Sequence, residues 1–227
     1  MKPTQTLPSE YELYENVCID KWKKTRAIQF IFGIILAWLS YNIIHSIVLS
    51  LRPEYQPPTP HFPGLSLNLL IIIFRIAAPV LILISIHEFI HTLILYFYTG
   101  QWPKVKASLD GISIRTPQWY IPRNQFLFIN LAPVFILGIS GLFLIPFVSQ
   151  SYLSLLIFLF TISIGASYAD ITSSLYLFLH SPSSYLKTSG VIFVNRSLEN
   201  DVPKLKKNIR ISVESFIAKL DPLDESG

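Results

Sequence analysis

Two histidines and a glutamate stand together in an otherwise apolar stretch, which reads His-Glu-Phe-Ile-His at positions 87–91. On a helix, His87 and His91 lie one turn apart on the same face, so both imidazoles can bind one metal ion. Glu88 projects beside them and can take a proton from a water molecule that such an ion activates. The spacing therefore predicts a zinc centre with Glu88 as its catalytic base.

The composition places this motif in a membrane protein. Of the 227 residues, 51% are hydrophobic and 14% are charged, against roughly 25% charged in an average soluble domain. Mean hydropathy is +0.47. Ionisable side chains within a membrane helix are costly and usually functional. A buried polar cluster that merely joins neighbouring helices is the competing interpretation.

A catalytic zinc site usually has three protein ligands, so one more is expected. The chain has a single cysteine, Cys18, which excludes a cysteine-based site and an intramolecular disulfide. Between residues 66 and 180 the acidic residues are Glu88, Asp110 and Asp170. Asp110 fits a hairpin turn, whereas Asp170 lies within an apolar stretch and needs a partner there. We therefore predict Asp170 as the third ligand.

Depth in the membrane supports this choice. His87 and His91 precede Gly100 by 13 and 9 residues, and Asp170 precedes His180 by 10. At ~1.5 Å per helical residue, all three groups lie at similar heights, ~14 to 20 Å from the helix ends.

The remaining histidines are weaker candidates. His45 lies toward the outer end of the first apolar stretch and is expected to pack between helices or at the interface. His61 belongs to a proline-rich outer loop. His180 could approach the site if the fourth stretch were tilted or short, and otherwise marks a helix end.

Two further polar residues interrupt the apolar stretches. Asn130 is followed by Pro133, which leaves a carbonyl one turn earlier without its helical partner. We expect Asn130 to hydrogen-bond a neighbouring helix, and holding a substrate strand is the alternative. Arg75 is expected to extend to the outer interface.

Four apolar stretches are long enough to cross a bilayer as helices. They cover about residues 27–50, 66–99, 125–148 and 152–179. The second is too long for one straight span, so residues 77–98 are predicted to cross and residues 66–74 to form an extension or an interfacial segment. The chain is thus expected to be mostly α, a multi-pass integral membrane protein with four transmembrane helices, in the cell membrane if the source is prokaryotic.

Basic residues flank the spans on one side. They precede the first span, lie between the second and third, and follow the fourth, which predicts that both termini are cytoplasmic. The expected organisation is a cytoplasmic segment 1–26, a four-helix membrane domain 27–180 and a cytoplasmic segment 181–227. No basic stretch is interleaved with exposed aromatics, so no nucleic-acid partner is expected.

The loop between the second and third spans has strand character. Within residues 104–116, Asp110-Gly111 favours a tight turn, and Ile112 and Ile114 alternate with polar residues. A small β-hairpin at the cytoplasmic face is predicted. Residues 190–195 could add another short strand there.

These features resemble the family of putative zincin membrane peptidases, first described as a domain of unknown function. The resemblance rests on His-Glu-Phe-Ile-His, the following Gly100, Asn-Leu-Ala-Pro-Val and Ser-Tyr-Ala-Asp-Ile, and it covers roughly residues 80–195. The chain is also distantly similar to the site-2 proteases, which place a histidine pair and a glutamate in one membrane helix and a ligating aspartate in a later one.

The resemblance implies zinc ligands His87, His91 and Asp170, with Glu88 as catalytic base. One departure is that no Asn-Pro-Asp-Gly string surrounds Asp170, which weakens the similarity to the site-2 proteases more than that to the zincins.

The expected function is a membrane-embedded zinc metalloprotease that hydrolyses peptide bonds with a metal-activated water. Its partners would be the lipid bilayer and a protein or peptide substrate, including a membrane-associated one. The alternative is a non-catalytic zinc-binding membrane protein, a regulator or transporter, which would use the same ligands but would not need Glu88. An inactive scaffold with a vestigial site is a third hypothesis.

Overall fold

The computed structural model describes residues 1–16, 26–57, 67–108, 111–188 and 191–195, together with residues 208, 209, 211, 212 and 215. Long apolar helices dominate these ranges. The helices are α1 (Arg26–Leu51), α2 (Leu67–Thr99), α3 (Arg123–Leu144), α4 (Gln150–Ala166) and α5 (Tyr168–Phe178).

Three segments are long and apolar enough to cross a membrane: Phe30–Leu51, Phe74–Thr99 and Arg123–Leu144. The pair α4 and α5, bent by 42° at a short break, supplies a fourth if it counts as one broken span. Large apolar side chains such as Trp38 and Phe97 are exposed on these helices, a surface that lipid can cover. The predicted class, a mostly α membrane protein with a small antiparallel sheet, is confirmed. The orientation of the termini stays a prediction.

The second apolar stretch forms one helix. The predicted extension 66–74 and the predicted span 77–98 are joined in α2, which is 33 residues long and contains Pro79. Proline adopts helical φ and removes a single hydrogen bond, so apolar helix-forming sequence on both sides carries the helix through it.

The fourth apolar stretch is interrupted, where the sequence predicted one span. α4 ends at Ala166, and α5 begins at Tyr168. At the break, the hydroxyl and the backbone N–H of Ser167 both donate to the carbonyl oxygen of Ser163, at 2.7 Å and 3.1 Å. Serine hydroxyls that bond back to the preceding turn bend helices. The break places Asp170 in the first turn of a new helix.

Gly165 lies at a close contact between two helices. A Cβ atom at Gly165 would lie 2.9 Å from the Cβ of Ala37 and 3.2 Å from the carbonyl oxygen of Gly33. The close approach is therefore between α4 and α1.

Two antiparallel sheets accompany the helices. The strands are β1 (Tyr11–Asn16), β2 (Lys104–Ser108), β3 (Gly111–Arg115), β4 (Ile121–Pro122), β5 (Tyr185–Lys187) and β6 (Val191–Asn195). β2 and β3 form the predicted hairpin, whose connecting residues 109 and 110 lie outside the described residues. The other four strands pair in the order β1-β6-β5-β4. The strand expected at 190–195 is observed as β6, whereas β1 was not predicted.

The chain divides into two compact units. The first contains Met1–Phe30, His91–Ala132 and Ala169–Gly227, and the second contains Ile31–Ile90 and Pro133–Tyr168. In the first unit, Leu95, Ile121 and Ile129 form one buried cluster, and Tyr176, Leu177, Leu186, Ile192 and Val194 form another. The core of the second unit contains Ile44, Val48, Tyr55, Ile145, Leu153, Ile157 and Phe160.

Candidate metal centre

The predicted ligands His87, His91 and Asp170 come together. Each offers one ligand atom, and these atoms all lie within 4.8 Å of one another. His91 Nε2 lies 3.6 Å from Asp170 Oδ2. His87 and His91 stand one turn apart on α2, and Asp170 belongs to α5. His91 is buried, and the other two are partly buried. Within the described residues, these three side chains form the one group of three or more histidine, cysteine or acidic residues that could hold a metal ion.

The donor set fits zinc. Two nitrogens and one carboxylate oxygen are the ligands of many catalytic zinc sites, with bonds of about 2.0–2.2 Å. Two ligands on one tetrahedral ion are then separated by roughly 3.4 Å, close to the 3.6 Å between His91 Nε2 and Asp170 Oδ2. Three protein ligands also leave a fourth position for water or substrate.

A backbone oxygen orients His91, one of the candidate ligands. His91 Nδ1 lies 2.9 Å from the carbonyl oxygen of Ile129 in α3. A carbonyl can only accept, so Nδ1 carries the proton and donates it. This tautomer places the ring's lone pair on Nε2, the atom that faces Asp170. Metal-binding histidines usually have such a partner for the second ring nitrogen.

Asp170, the predicted third ligand, is held through the neighbouring turn of its helix. Asn130 Nδ2 donates to Ser173 Oγ at 2.9 Å, and Ser173 Oγ donates to the backbone oxygen of Asp170 at 3.0 Å. Asn130 thus joins α3 to α5, and its expected role as a bond between helices is confirmed. Because Asp170 lies in the first turn of α5, the dipole of that helix favours the ionised carboxylate that a metal requires.

The other end of α5 is fixed by Arg123, the first residue of α3. Its Nη1 donates to the carbonyl oxygens of His180 and Phe178, the latter at 3.4 Å. The guanidinium also lies over the Phe178 ring, 5.6 Å from the centroid. A helix C-terminus leaves carbonyls without helical partners, and a cation stabilises it. Arg123 is buried, so this contact fixes the helix that carries Asp170.

Glu88 follows His87 directly on α2 and is partly buried. His87 precedes Thr99, the last residue of the candidate span Phe74–Thr99, by 12 residues. At ~1.5 Å per residue, this is ~18 Å from that helix end. The His-Glu-Phe-Ile-His sequence therefore lies near the middle of a helix of membrane length.

The competing histidines are found elsewhere. His45 stacks on Tyr41, with ring centroids 5.5 Å apart, and meets Tyr55 edge to face. It is a packing residue, as expected. His180 is buried, and its Nδ1 lies 3.2 Å from the carbonyl oxygen of Tyr176 at the end of α5. Asp110 and His61 lie outside the described residues.

A family comparison covers this same region. Residues 80–185 match the family described as putative zincin peptidase. The match confirms the resemblance inferred from the motifs. The matched region contains the whole of the His-Glu-Phe-Ile-His sequence, Asn130 and Asp170, so it includes every residue of the candidate centre. No curated protein and no solved structure matches the chain.

Several supporting residues of the zincin region were not predicted. Ile129 contributes a backbone oxygen, which no side-chain pattern reveals, although Pro133 four residues later marks a carbonyl without its helical partner. Ser173 and Arg123 act through contacts between helices. For Arg123, the available sequence signal is a basic residue at the start of an apolar stretch.

Proposed function

We propose that this protein is a zinc-dependent membrane peptidase that hydrolyses peptide bonds. The observation that carries the proposal is the approach of His87, His91 and Asp170, whose ligand atoms lie within 4.8 Å of one another. Glu88 adjoins them on α2. The family match over residues 80–185 supports the same chemistry.

The three ligands would hold the ion in complementary ways. His91 would bind through Nε2, because its Nδ1 proton is directed to Ile129. His87 would supply the second imidazole, and Asp170 would supply an anionic oxygen. When bound, zinc would lower the pKa of a coordinated water and polarise the carbonyl of the peptide bond to be cleaved.

Glu88 would move the proton. Its carboxylate would accept the proton as the water attacks and then donate it to the nitrogen of the leaving amine. A glutamate beside two helical histidines is the general base of this arrangement in metalloproteases. A regulator or transporter that only binds zinc would not need Glu88.

The substrate would be a protein or peptide at the membrane. We propose that the segment to be cleaved unwinds and pairs as a strand with the β2–β3 hairpin. In the described residues this hairpin is a two-stranded sheet, so each strand has an outer edge whose backbone groups can bind an extended chain. Unwinding would expose the peptide bond, since a helical segment engages its carbonyls in its own hydrogen bonds, and pairing would hold the segment extended.

The test uses detergent-purified full-length protein. We expect about one zinc per chain by metal analysis, and cleavage of a proteome-derived peptide library read by mass spectrometry. Glu88→Gln should keep the zinc and lose the cleavage, because an amide cannot act as a base. Zinc bound without any Glu88-dependent cleavage would favour the regulator or transporter instead, and wild-type protein that binds no zinc would exclude both.

A further inference from the structure

We propose that Pro133 is a positioning residue of the metal centre: by leaving the Ile129 carbonyl without a helical partner, it reserves that oxygen for His91 and so sets the tautomer and orientation of the ligand. This inference rests on the proposed zinc centre. It assigns a function to a proline inside an apolar helix that would otherwise only weaken the helix.

Pro133 removes one hydrogen bond from α3. In an α-helix the carbonyl of one residue accepts from the N–H four positions later. The N–H that would serve Ile129 belongs to position 133, and proline has none. Pro133 lies inside α3, so the vacancy falls within the helix and not at an end where water or a cap could fill it.

The Ile129 carbonyl and the His91 ring belong to buried residues. Ile129 and His91 are both buried, at 3% and 8% exposure, and Ala132 beside Pro133 is 3% exposed. A buried carbonyl or ring N–H without a partner carries a substantial desolvation cost. The 2.9 Å contact between His91 Nδ1 and the Ile129 oxygen satisfies both groups at once. Each group is therefore the other's required partner.

The residue next to Ile129 makes a second contact between helices. Asn130, next to Ile129, donates to Ser173 on the helix that carries Asp170. One turn of α3 thus bonds α2 through a backbone oxygen and α5 through a side chain. Since His91 and Asp170 lie on those two helices, this turn sets the distance between two ligands.

Pro79 offers a matched comparison within the same chain. It also lies inside a membrane-length helix and leaves the carbonyl of Arg75 without its helical donor. Arg75 is exposed, and Pro79 precedes His87 by 8 residues, which is ~12 Å along the helix. A proline that acts only on helix geometry should behave alike at both positions.

The experiment compares Pro133→Ala and Pro79→Ala with wild type, using purified full-length protein. Alanine restores the missing N–H, so both variants should unfold at the same or a higher temperature than wild type when metal-free. Zinc affinity, measured by competition with a chromogenic chelator, should fall about 10- to 100-fold in Pro133→Ala, the usual cost of losing such a support. It should be unchanged in Pro79→Ala.

A purely structural role would lower the metal-free unfolding temperature of Pro133→Ala together with its zinc affinity, and that result would overturn the proposal. The proposal requires weaker zinc binding at an unchanged or higher unfolding temperature. Pro133→Ala that binds zinc as tightly as wild type would overturn it. Wild-type protein without zinc would instead overturn the proposed metal centre, so the two failures are distinguishable.

A measurement on the wild-type protein tests the inference even if Pro133→Ala fails to fold. Nitrogen-15 NMR of histidine-labelled wild type, with His91→Ala to assign the signal, reports which ring nitrogen carries the proton. We expect the Nδ1–H tautomer in metal-free and zinc-loaded protein. A His91 protonated at Nε2 would overturn the inference without any reference to activity.

Discussion

His91 Nε2 and Asp170 Oδ2 lie 3.6 Å apart, although 79 residues separate them in the sequence. One atom belongs to α2 and the other to α5. An ion bound by both would therefore join two helices that are separated in the chain by α3 and α4. Metal binding and the stability of the fold should be linked for this reason.

Zinc should raise the unfolding temperature of the metal-free protein. A ligand that binds only the folded state adds about 2.7 kcal/mol of stability at 100 times its Kd. Asp170→Ala should abolish most of this increase in a thermal-shift measurement. Glu54→Gln is the control, because Glu54 pairs with Arg52 away from the centre and should respond as wild type. An equal zinc response in Asp170→Ala would exclude Asp170 as a ligand.

Arg123→Ala should destabilise the protein by about 2–3 kcal/mol, the usual range for a lost charged hydrogen bond whose partner stays buried. The cause is the loss of its contacts with the carbonyls of Phe178 and His180. Arg123→Lys should recover only part of the loss, because an ammonium cannot reproduce the planar guanidinium. Arg75→Ala, at an exposed position, is the control in the same denaturation assay. Unchanged stability in Arg123→Ala would contradict a role in fixing α5.

Gly141 and Gly138 in α3 should respond oppositely to alanine. A Cβ atom at Gly141 would overlap the ring of Phe160, only 1.3 Å from its Cζ, whereas nothing lies within 4 Å of a Cβ at Gly138. Gly141→Ala should cost about 1–3 kcal/mol through overpacking, while Gly138→Ala should gain up to about 1 kcal/mol from helix propensity. Thermal unfolding of both variants in the same detergent tests this. Equal stabilisation in the two would show that Phe160 moves aside without cost.

The orientation of the chain can be tested with cysteines in a Cys18→Ser background, since Cys18 is the single native cysteine. Gln118 and Gln150 are both exposed and lie at opposite ends of α3. A membrane-impermeant maleimide applied to intact cells should label Gln150→Cys and not Gln118→Cys, because basic residues favour the cytoplasmic side. The reverse pattern would invert the predicted topology.

Local patterns explain which parts of the fold were predictable. The spans follow from apolar runs of sufficient length, and the β2–β3 hairpin follows from alternation on either side of a turn signal. The pairing of β1 with β6 joins segments that are about 180 residues apart, and no local pattern encodes it. The break at Ser167 was missed because no proline marks it and apolar runs lie on both sides, while a serine hydroxyl decides the bend.

The sequence by itself determined the chemistry available to this protein. It supplies two histidines one helical turn apart, a glutamate beside them, and so few carboxylates among the spans that Asp170 could be inferred by elimination. Tertiary structure alone decided how those groups are held. The distance from His91 to Asp170, the proton position on His91 and the anchoring of α5 depend on contacts from Ile129, Asn130 and Arg123. Such contacts join helices that are remote in sequence, and one of them uses a backbone oxygen that every residue possesses. Composition and periodicity cannot specify it.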